Sequence, residues 1–278
     1  MNPINRGDAP SHDPCTEESR YERQLWMKQI GPKGQAELQH ASVLTVGAGG
    51  LGSSVLLTLA AAGVGTLGIV DGDVVSLSNL NRQILYSTSD IGQSKASAAR
   101  ERLLALNPEL RIESYPARLD PENAYALFSA YDLIVDATDN YSTRYLICDA
   151  AVLFDKPLFV GAVSNLHGMA FTVMPRKTAC FRCIYPNPPT SDMVRDERAR
   201  GILGTTASII GSIVAQNVIK FIVGTGDWLG GKLLLMDGED NRFDVVPIDR
   251  DPACPLCGDH PTITELFSMH DDLRKSSC

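Results

Sequence analysis

Three glycines, Gly47, Gly49 and Gly52, stand as Gly-x-Gly-x-x-Gly within the stretch LTVGAGGLGSS. An apolar run that reads as a strand precedes them, and one that reads as a helix follows. At that spacing the first glycine permits a tight turn, the second brings backbone close to a phosphate, and the third lets helix and strand pack closely. An anionic phosphate would then meet free amides at the helix N-terminus. Asp71 closes the next apolar run, where a carboxylate can accept hydrogen bonds from ribose hydroxyls, and Asp73 stands close enough in sequence to take that part. The bland alternatives are a plain strand-to-helix turn and turn aspartates. Such a pocket suits a nucleotide that carries hydride as well as one consumed as a phosphate donor.

The segment SLSNLNRQILYSTSDIGQSK bears on that choice. It brings Asn79, Arg82, Gln83 and Lys95 to the same sheet edge. An NAD enzyme needs little cationic charge beyond the pyrophosphate turn, whereas attack on an α-phosphate spreads negative charge that Arg and Lys stabilise. The cations favour phosphate chemistry, although a single charged residue more commonly belongs to a solvated helix surface. In LIVDATDN, Asp136 and Asp139 fall at the C-terminal end of a strand, the edge where open parallel sheets hold ligands. A carboxylate there can hold Mg²⁺ bridging phosphate oxygens. Asp136 reads as structural and Asp139, farther out, as facing the site; helix capping ahead of Tyr141 is the competing role for both.

The chain has seven cysteines, at 15, 148, 180, 183, 254, 257 and 278. Four of them form two Cys-x-x-Cys pairs, CFRC (Cys180, Cys183) and CPLC (Cys254, Cys257), and offer the four thiolates of a closed tetrahedral zinc site. The separation between pairs is too long for a compact finger, so a shared Zn²⁺ would clamp two distant segments. A redox pair is disfavoured because two pairs occur and neither opens a thioredoxin-like unit; unmetallated core cysteines are the remaining alternative. Cys148 falls in a helical pattern that suggests burial.

The elements that would position these residues alternate. Short apolar runs at 42–46, 66–70, 133–135 and 157–160 are separated by helical stretches at 51–62, 95–106, 121–130 and 141–153. That pattern predicts an α/β fold, a Rossmann-like doubly wound and mostly parallel sheet covered by helices. Segments 163–175 and 231–248 read as added antiparallel strands, 202–224 as a mostly buried helix, and the proline-rich, charged 185–201 as a mobile crossing loop. A polar lead, 1–19, reads as disordered. Residues 20–262 are expected to form one domain, with a nucleotide-binding half at 41–162, an acceptor and zinc half at 163–262, and a tail at 263–278.

With 278 residues and 44% hydrophobic content, the chain can bury a substantial core. Its net charge of -8 argues against broad gripping of nucleic acid or anionic membrane. No uninterrupted apolar run approaches the ~18 residues of a membrane span, and the start lacks a signal pattern. A cytoplasmic location is expected.

Taken together, RYERQ (from Arg20), VGAGGLGSS, DGDVVSLSNLNRQ, IGQSK, DATDN and the two cysteine pairs resemble the MoeB/ThiF/HesA family, the bacterial relatives of ubiquitin-activating enzymes. The resemblance runs from about Arg20 to Gly258 with the motifs in the family's order. It implies an ATP- and Mg²⁺-dependent adenylyltransferase that activates the C-terminal carboxylate of a small ubiquitin-like sulfur carrier as an acyl-adenylate, with release of pyrophosphate. By the same resemblance Gly50 lies against the nucleotide, Asp71 holds the ribose, Arg82 and Lys95 contact phosphates beside Asn79 and Gln83, and Asp139 ligates or positions Mg²⁺. Arg23 would reach across a two-fold axis into the neighbour's site, which implies a homodimer.

Two features depart from some relatives. The crossing loop contains no cysteine to take the acyl group, and no sulfurtransferase-like extension follows the second cysteine pair. The acceptor is accordingly open between a sulfur carrier, a peptide and a modified tRNA, with His167 and Arg198 as candidate contacts for an incoming tail. An NAD-dependent oxidoreductase explains the glycines and Asp71 but leaves Arg23, Arg82, Lys95 and Asp139 idle. A non-catalytic scaffold is the third class.

Overall fold

The computed structural model describes residues 20–189 and 201–266. The lead 1–19 with Cys15, most of the crossing loop with Arg198, and the tail from 267 with Cys278 lie outside the described residues.

Among the described residues, every strand joins one eight-stranded sheet. In chain order these are β1 (Ser42–Val46), β2 (Thr66–Val70), β3 (Arg111–Tyr115), β4 (Leu133–Asp136), β5 (Leu158–Ser164), β6 (His167–Val173), β7 (Lys232–Asp237) and β8 (Arg242–Pro247). The spatial order is β3-β2-β1-β4-β5-β6-β7-β8; the first five run parallel and the last three are added antiparallel.

Helices cover both faces because successive strand residues point to opposite sides. Val43, Val135 and Phe159 enter one apolar cluster, while their neighbours Leu44, Ile134 and Leu158 enter the other. The first cluster is roofed by α3 (Gly50–Ala62), α4 (Lys95–Leu106) and α8 (Gly204–Val223), and the second by α5 (Pro121–Ser129) and α6 (Tyr141–Leu153). The short α1 (Glu22–Leu25), α2 (Gly31–His40) and α7 (Phe181–Ile184) complete the described helices of four residues or more. Burying each Leu, Ile or Phe of these clusters contributes about 1.5–3 kcal/mol, which is why near-continuous apolar runs form the central strands.

The expected elements form with small shifts in their ends, and β5 runs on to Ser164 because β6 pairs along its whole length. One strand was not expected. β3, with the sequence RIESY, is a sheet-edge strand that buries only Ile112 fully, so it lacks an apolar run. Helix α8 has 20 residues at a mean hydropathy of 1.6, long and apolar enough by length and composition to cross a bilayer. In this fold it lies on β5 and β6: Ile210 is wholly buried, and a Cβ on Gly168 would fall 2.3 Å from its Cγ1.

The strand order reverses between β1 and β4. Ligands in open parallel sheets bind outside the carboxyl ends of strands at such a switch point. Gly47 follows β1 and Ala137 follows β4, so both candidate loops meet there.

Candidate functional site

The glycine turn is set by close approach. Gly47 has φ +93°, and a Cβ on it would stand 2.7 Å from the carbonyl oxygen of Ala137. A Cβ on Gly52 would fall 2.0 Å from the Gly47 oxygen, so helix α3 can begin this close to β1 only without a side chain there. The turn is tied down by Asp71: the Ala48 N–H donates to its Oδ2 at 2.8 Å and the Asp73 N–H to its Oδ1 at 2.9 Å. Burial pushes the Asp71 carboxyl above its ordinary value, a rise opposed by those two amides and by the charge of Lys95. Asp73 is half-exposed and takes a different place, accepting from Lys95 Nζ at 3.1 Å.

The remaining expected residues surround this turn. Lys95, first residue of α4, is buried except for its link to Asp73. Gln83 is 4% exposed; its Nε2 lies 3.7 Å from where a Gly49 Cβ would stand, and its Oε1 has no partner among the described residues. Arg82 packs its stem on Gly50, whose Cβ would lie 3.4 Å from Arg82 Cγ and 3.3 Å from Ala207 Cβ. Gly50 therefore meets Arg82 and the first turn of α8. The Arg82 guanidinium donates through Nη1 to the Ser78 carbonyl at 3.0 Å. Asn79 opens the turn before it, its carbonyl accepting the N–H groups of Arg82 and Gln83.

Asp136, the last residue of β4, and Asp139 beyond it have different surroundings. Asp136 is fully buried, paired with Arg144 at 3.0 Å and bonded by the N–H and hydroxyl of Thr138. The capping alternative falls to neither: Asn140 caps α6, its side chain accepting from the Thr143 N–H at 2.9 Å. Asp139 is exposed and makes no hydrogen bond or ion pair with the described residues.

The four cysteines of the two pairs converge although 74 residues separate Cys180 from Cys254. Their sulfurs all lie within 4.8 Å of one another, with Cys180–Cys183 at 3.8 Å, Cys180–Cys254 at 3.6 Å and Cys183–Cys257 at 3.4 Å. A disulfide needs about 2.05 Å. A tetrahedral ion with Zn–S bonds of about 2.3 Å separates its sulfurs by about 3.8 Å, so the cluster fits a zinc ion in size and in donor softness. The four thiols pull one another in opposite directions: hydrogen bonds from Cys180 hold Cys183 low and bring Cys254 down to about 6, while its thiol neighbours push Cys180 up, and, against the pull of Cys180, Cys183 together with burial takes Cys257 up to about 12. Cys148 is buried beside them, accepting the Phe181 N–H at 3.4 Å.

Two expected residues stand elsewhere. Arg23 is on α1, exposed, with its guanidinium 4.7 Å from the ring centre of Trp26. The adjoining Tyr21 is anchored near Gly63 and Asn107, at the ends of α3 and α4 remote from the glycine turn. His167 is half-exposed on β6, its Nδ1 3.7 Å from Asp237.

Sequence reasoning missed three residues here. Tyr86 donates its hydroxyl to the Ala48 carbonyl at 2.8 Å and so props the glycine turn from below. Arg118 approaches Asp73 at 3.7 Å from the loop after β3. Arg144 binds Asp136 from the end of the first turn of α6. Only the last had a usable signal, a cation placed in an otherwise apolar helix face soon after two acids.

The chain matches the family described as "ThiF family" over residues 21–256. It is 46% identical over 252 residues to a protein of Thermus thermophilus named sulfur carrier protein adenylyltransferase, covering 89% of this chain and 93% of that one. It is 43% identical over 254 residues to the probable adenylyltransferase/sulfurtransferase MoeZ of Mycobacterium tuberculosis, covering 90% of this chain and 63% of that one. Among solved structures, E. coli MccB with ATP superposes at a TM-score of 0.76 with 23% identity, over 86% of this chain and 74% of that one, a likeness of fold. The chain belongs to the ThiF family.

Proposed function

We propose that this protein uses ATP to adenylate the C-terminal carboxylate of a small ubiquitin-like sulfur-carrier protein, releasing pyrophosphate. The observation that carries this reading is the gathering of a glycine turn, a half-buried ribose-type carboxylate, two cations and an exposed aspartate at the switch point of the sheet. Hydride transfer has no use for the last three. The 46% identity to a sulfur carrier adenylyltransferase supports the choice of acceptor.

In this reading the amides of Gly49 and Gly50 face the phosphates. Asp71 still has lone pairs to spare for the ribose hydroxyls after accepting two amides. A carboxylate oxygen of the tail attacks the α-phosphorus, the bond to the bridging oxygen breaks, and pyrophosphate leaves with the electron pair. Arg82 and Lys95 stabilise the charge that spreads over the phosphates, Lys95 exchanging its Asp73 partner for phosphate. Gln83 and Asn79 stand beside them. Asp139 would hold Mg²⁺, which neutralises phosphate charge when bound. Positioning and electrostatics carry such a step without a protein nucleophile, in keeping with a crossing loop that lacks cysteine. Cys180, Cys183, Cys254 and Cys257 would hold Zn²⁺ in a structural role, joining the segment after β6 to the segment after β8. Arg23 would serve the site of a second copy in a homodimer.

The test is ATP–pyrophosphate exchange with a purified carrier ending in Gly-Gly. Exchange is expected with the free carboxylate and none with the same carrier amidated at its C-terminus. Equal exchange with both would refute the reading, and protection against heat by NAD instead of ATP would restore the oxidoreductase.

A further inference from the structure

Helix α6 starts two residues beyond Asp139, after its cap Asn140, and its inner face lies against the cysteine cluster. Arg144 is where the two meet. It is 6% exposed, its Nε donates to Asp136 Oδ2 at 3.0 Å, and its Nη2 donates to the carbonyls of Thr138 at 2.7 Å and Gly161 at 3.1 Å. The same guanidinium lies 5.8 Å from the ring centre of Phe181, the residue following the ligand-type Cys180. One side chain thus fastens the carbonyl immediately before Asp139, the strand end before that, and the neighbouring strand β5. The other oxygen of Asp136 takes the Thr138 N–H at 2.9 Å and hydroxyl at 2.6 Å, so the turn is closed from inside at every polar atom around Thr138.

The second end of this brace is also fixed. Arg182 grips Asp149 of α6 through two bonds, 2.7 and 2.8 Å, and the Phe181 amide bonds Cys148, one turn along from Arg144. The cysteine knuckle and the Asp139 turn therefore share a single helix face.

We propose that Arg144 is the positioning residue of Asp139: it holds the Asp136–Thr138 turn so that the exposed carboxylate projects at the nucleotide edge, with its guanidinium braced against Phe181 of the cysteine knuckle. Arg144 itself reaches no substrate. A planar fork with several donors can satisfy one carboxylate and two carbonyls together, whereas a lysine supplies one compact charge on a flexible stem. Arg144→Lys therefore keeps the buried charge of Asp136 paired but frees the Thr138 carbonyl. The inference rests on the reading that Asp139 serves magnesium, and its test is chosen to fail separately.

Zinc-loaded wild type, Arg144→Lys, Asp139→Ala and the double variant are compared. Zinc content should match wild type in all four. In Arg144→Lys the amide hydrogens of 137–141 should exchange at least tenfold faster, with those of β1 unchanged. The Mg²⁺ concentration for half-maximal ATP–pyrophosphate exchange should rise about tenfold while protection by ATP without Mg²⁺ stays the same. The double variant should be no slower than Asp139→Ala alone. A wild-type Mg²⁺ midpoint in Arg144→Lys, unchanged amide exchange in the turn, or additive losses in the double variant would overturn the proposal. Should Arg144→Lys fail to fold, Arg144→Gln combined with Asp136→Asn removes both buried charges together and must show the same shifts. Wild type without pyrophosphate exchange would sink the adenylation reading alone, because amide exchange in the turn needs no turnover.

Discussion

Asp71 carries a measurable consequence of its surroundings. Burial raises its carboxyl above the ordinary 3.8, and the amides of Ala48 and Asp73 together with Lys95 only partly oppose this. A raised value means that the folded chain binds the proton more tightly than the unfolded chain. The protonated group accordingly favours folding at low pH, an advantage complete below the unfolded value and lost as pH rises through the folded one. Nucleotide binding runs the other way, since only the ionised group accepts from both ribose hydroxyls. ATP affinity should therefore fall in mildly acid solution, before an ordinary carboxylate would titrate, and Asp71→Asn should bind weakly with no such pH dependence. Calorimetric titration with ATP between neutral and mildly acid pH measures it; a parallel fall in the Asn variant would assign the effect to another group. Residues of this kind were legible in the sequence because their spacing is their function: three glycines, an acid at the end of the next strand, two cysteine pairs. Tyr86 and Arg118 were not, since each acts on a partner the fold brings to it and nothing in its own neighbourhood marks it; Arg144 left only one mark, a cation in an otherwise apolar helix face soon after two acids.

Among elements, the parallel core was readable because strands buried on both faces must be apolar throughout. β3 escaped for the converse reason, an edge strand in which only Ile112 is fully buried. The meeting of the two cysteine pairs was legible as chemistry but not as geometry. It depends on β6 and β8 being brought to one side of the sheet by the antiparallel addition, which no local pattern encodes. Their convergence leads to a prediction at this scale. The segment after β8 has little secondary structure of its own, so an ion held by all four cysteines would be its strongest attachment to the knuckle. Changing Cys180 and Cys183 together to Ser should abolish zinc binding. It should also lower Tm by several degrees, each kcal/mol lost shifting Tm by about 2–4 °C in a protein of this size. Metal analysis and calorimetry read both; full zinc content in the variant would mean that the cluster does not share one ion.

At the scale of the whole molecule, one expected residue stands apart from the site assembled around Gly47. Arg23 is the exposed residue of α1, its guanidinium over the ring of Trp26, itself 62% exposed, while the residue before that helix, Tyr21, is pinned to the remote ends of α3 and α4. An arginine held this far from its own nucleotide turn can act in catalysis only on another chain. In a two-fold dimer each site would then combine Lys95 of one protomer with the Arg23 of the other, because a closed two-fold interface repeats every contact reciprocally. Arg23→Ala and Lys95→Ala proteins, each inactive alone, test this directly when unfolded and refolded as a mixture. Every mixed dimer would hold one site with both lesions and one site with neither. Random pairing makes about half of all dimers mixed, so exchange should recover to roughly a quarter of the wild-type rate. Differently tagged chains, purified in tandem to isolate the mixed species, should show about half. Mixed dimers that remain inactive would mean that Arg23 does not complete its neighbour's site, and an Arg23→Ala protein that keeps full activity alone would leave its guanidinium a surface contact of α1.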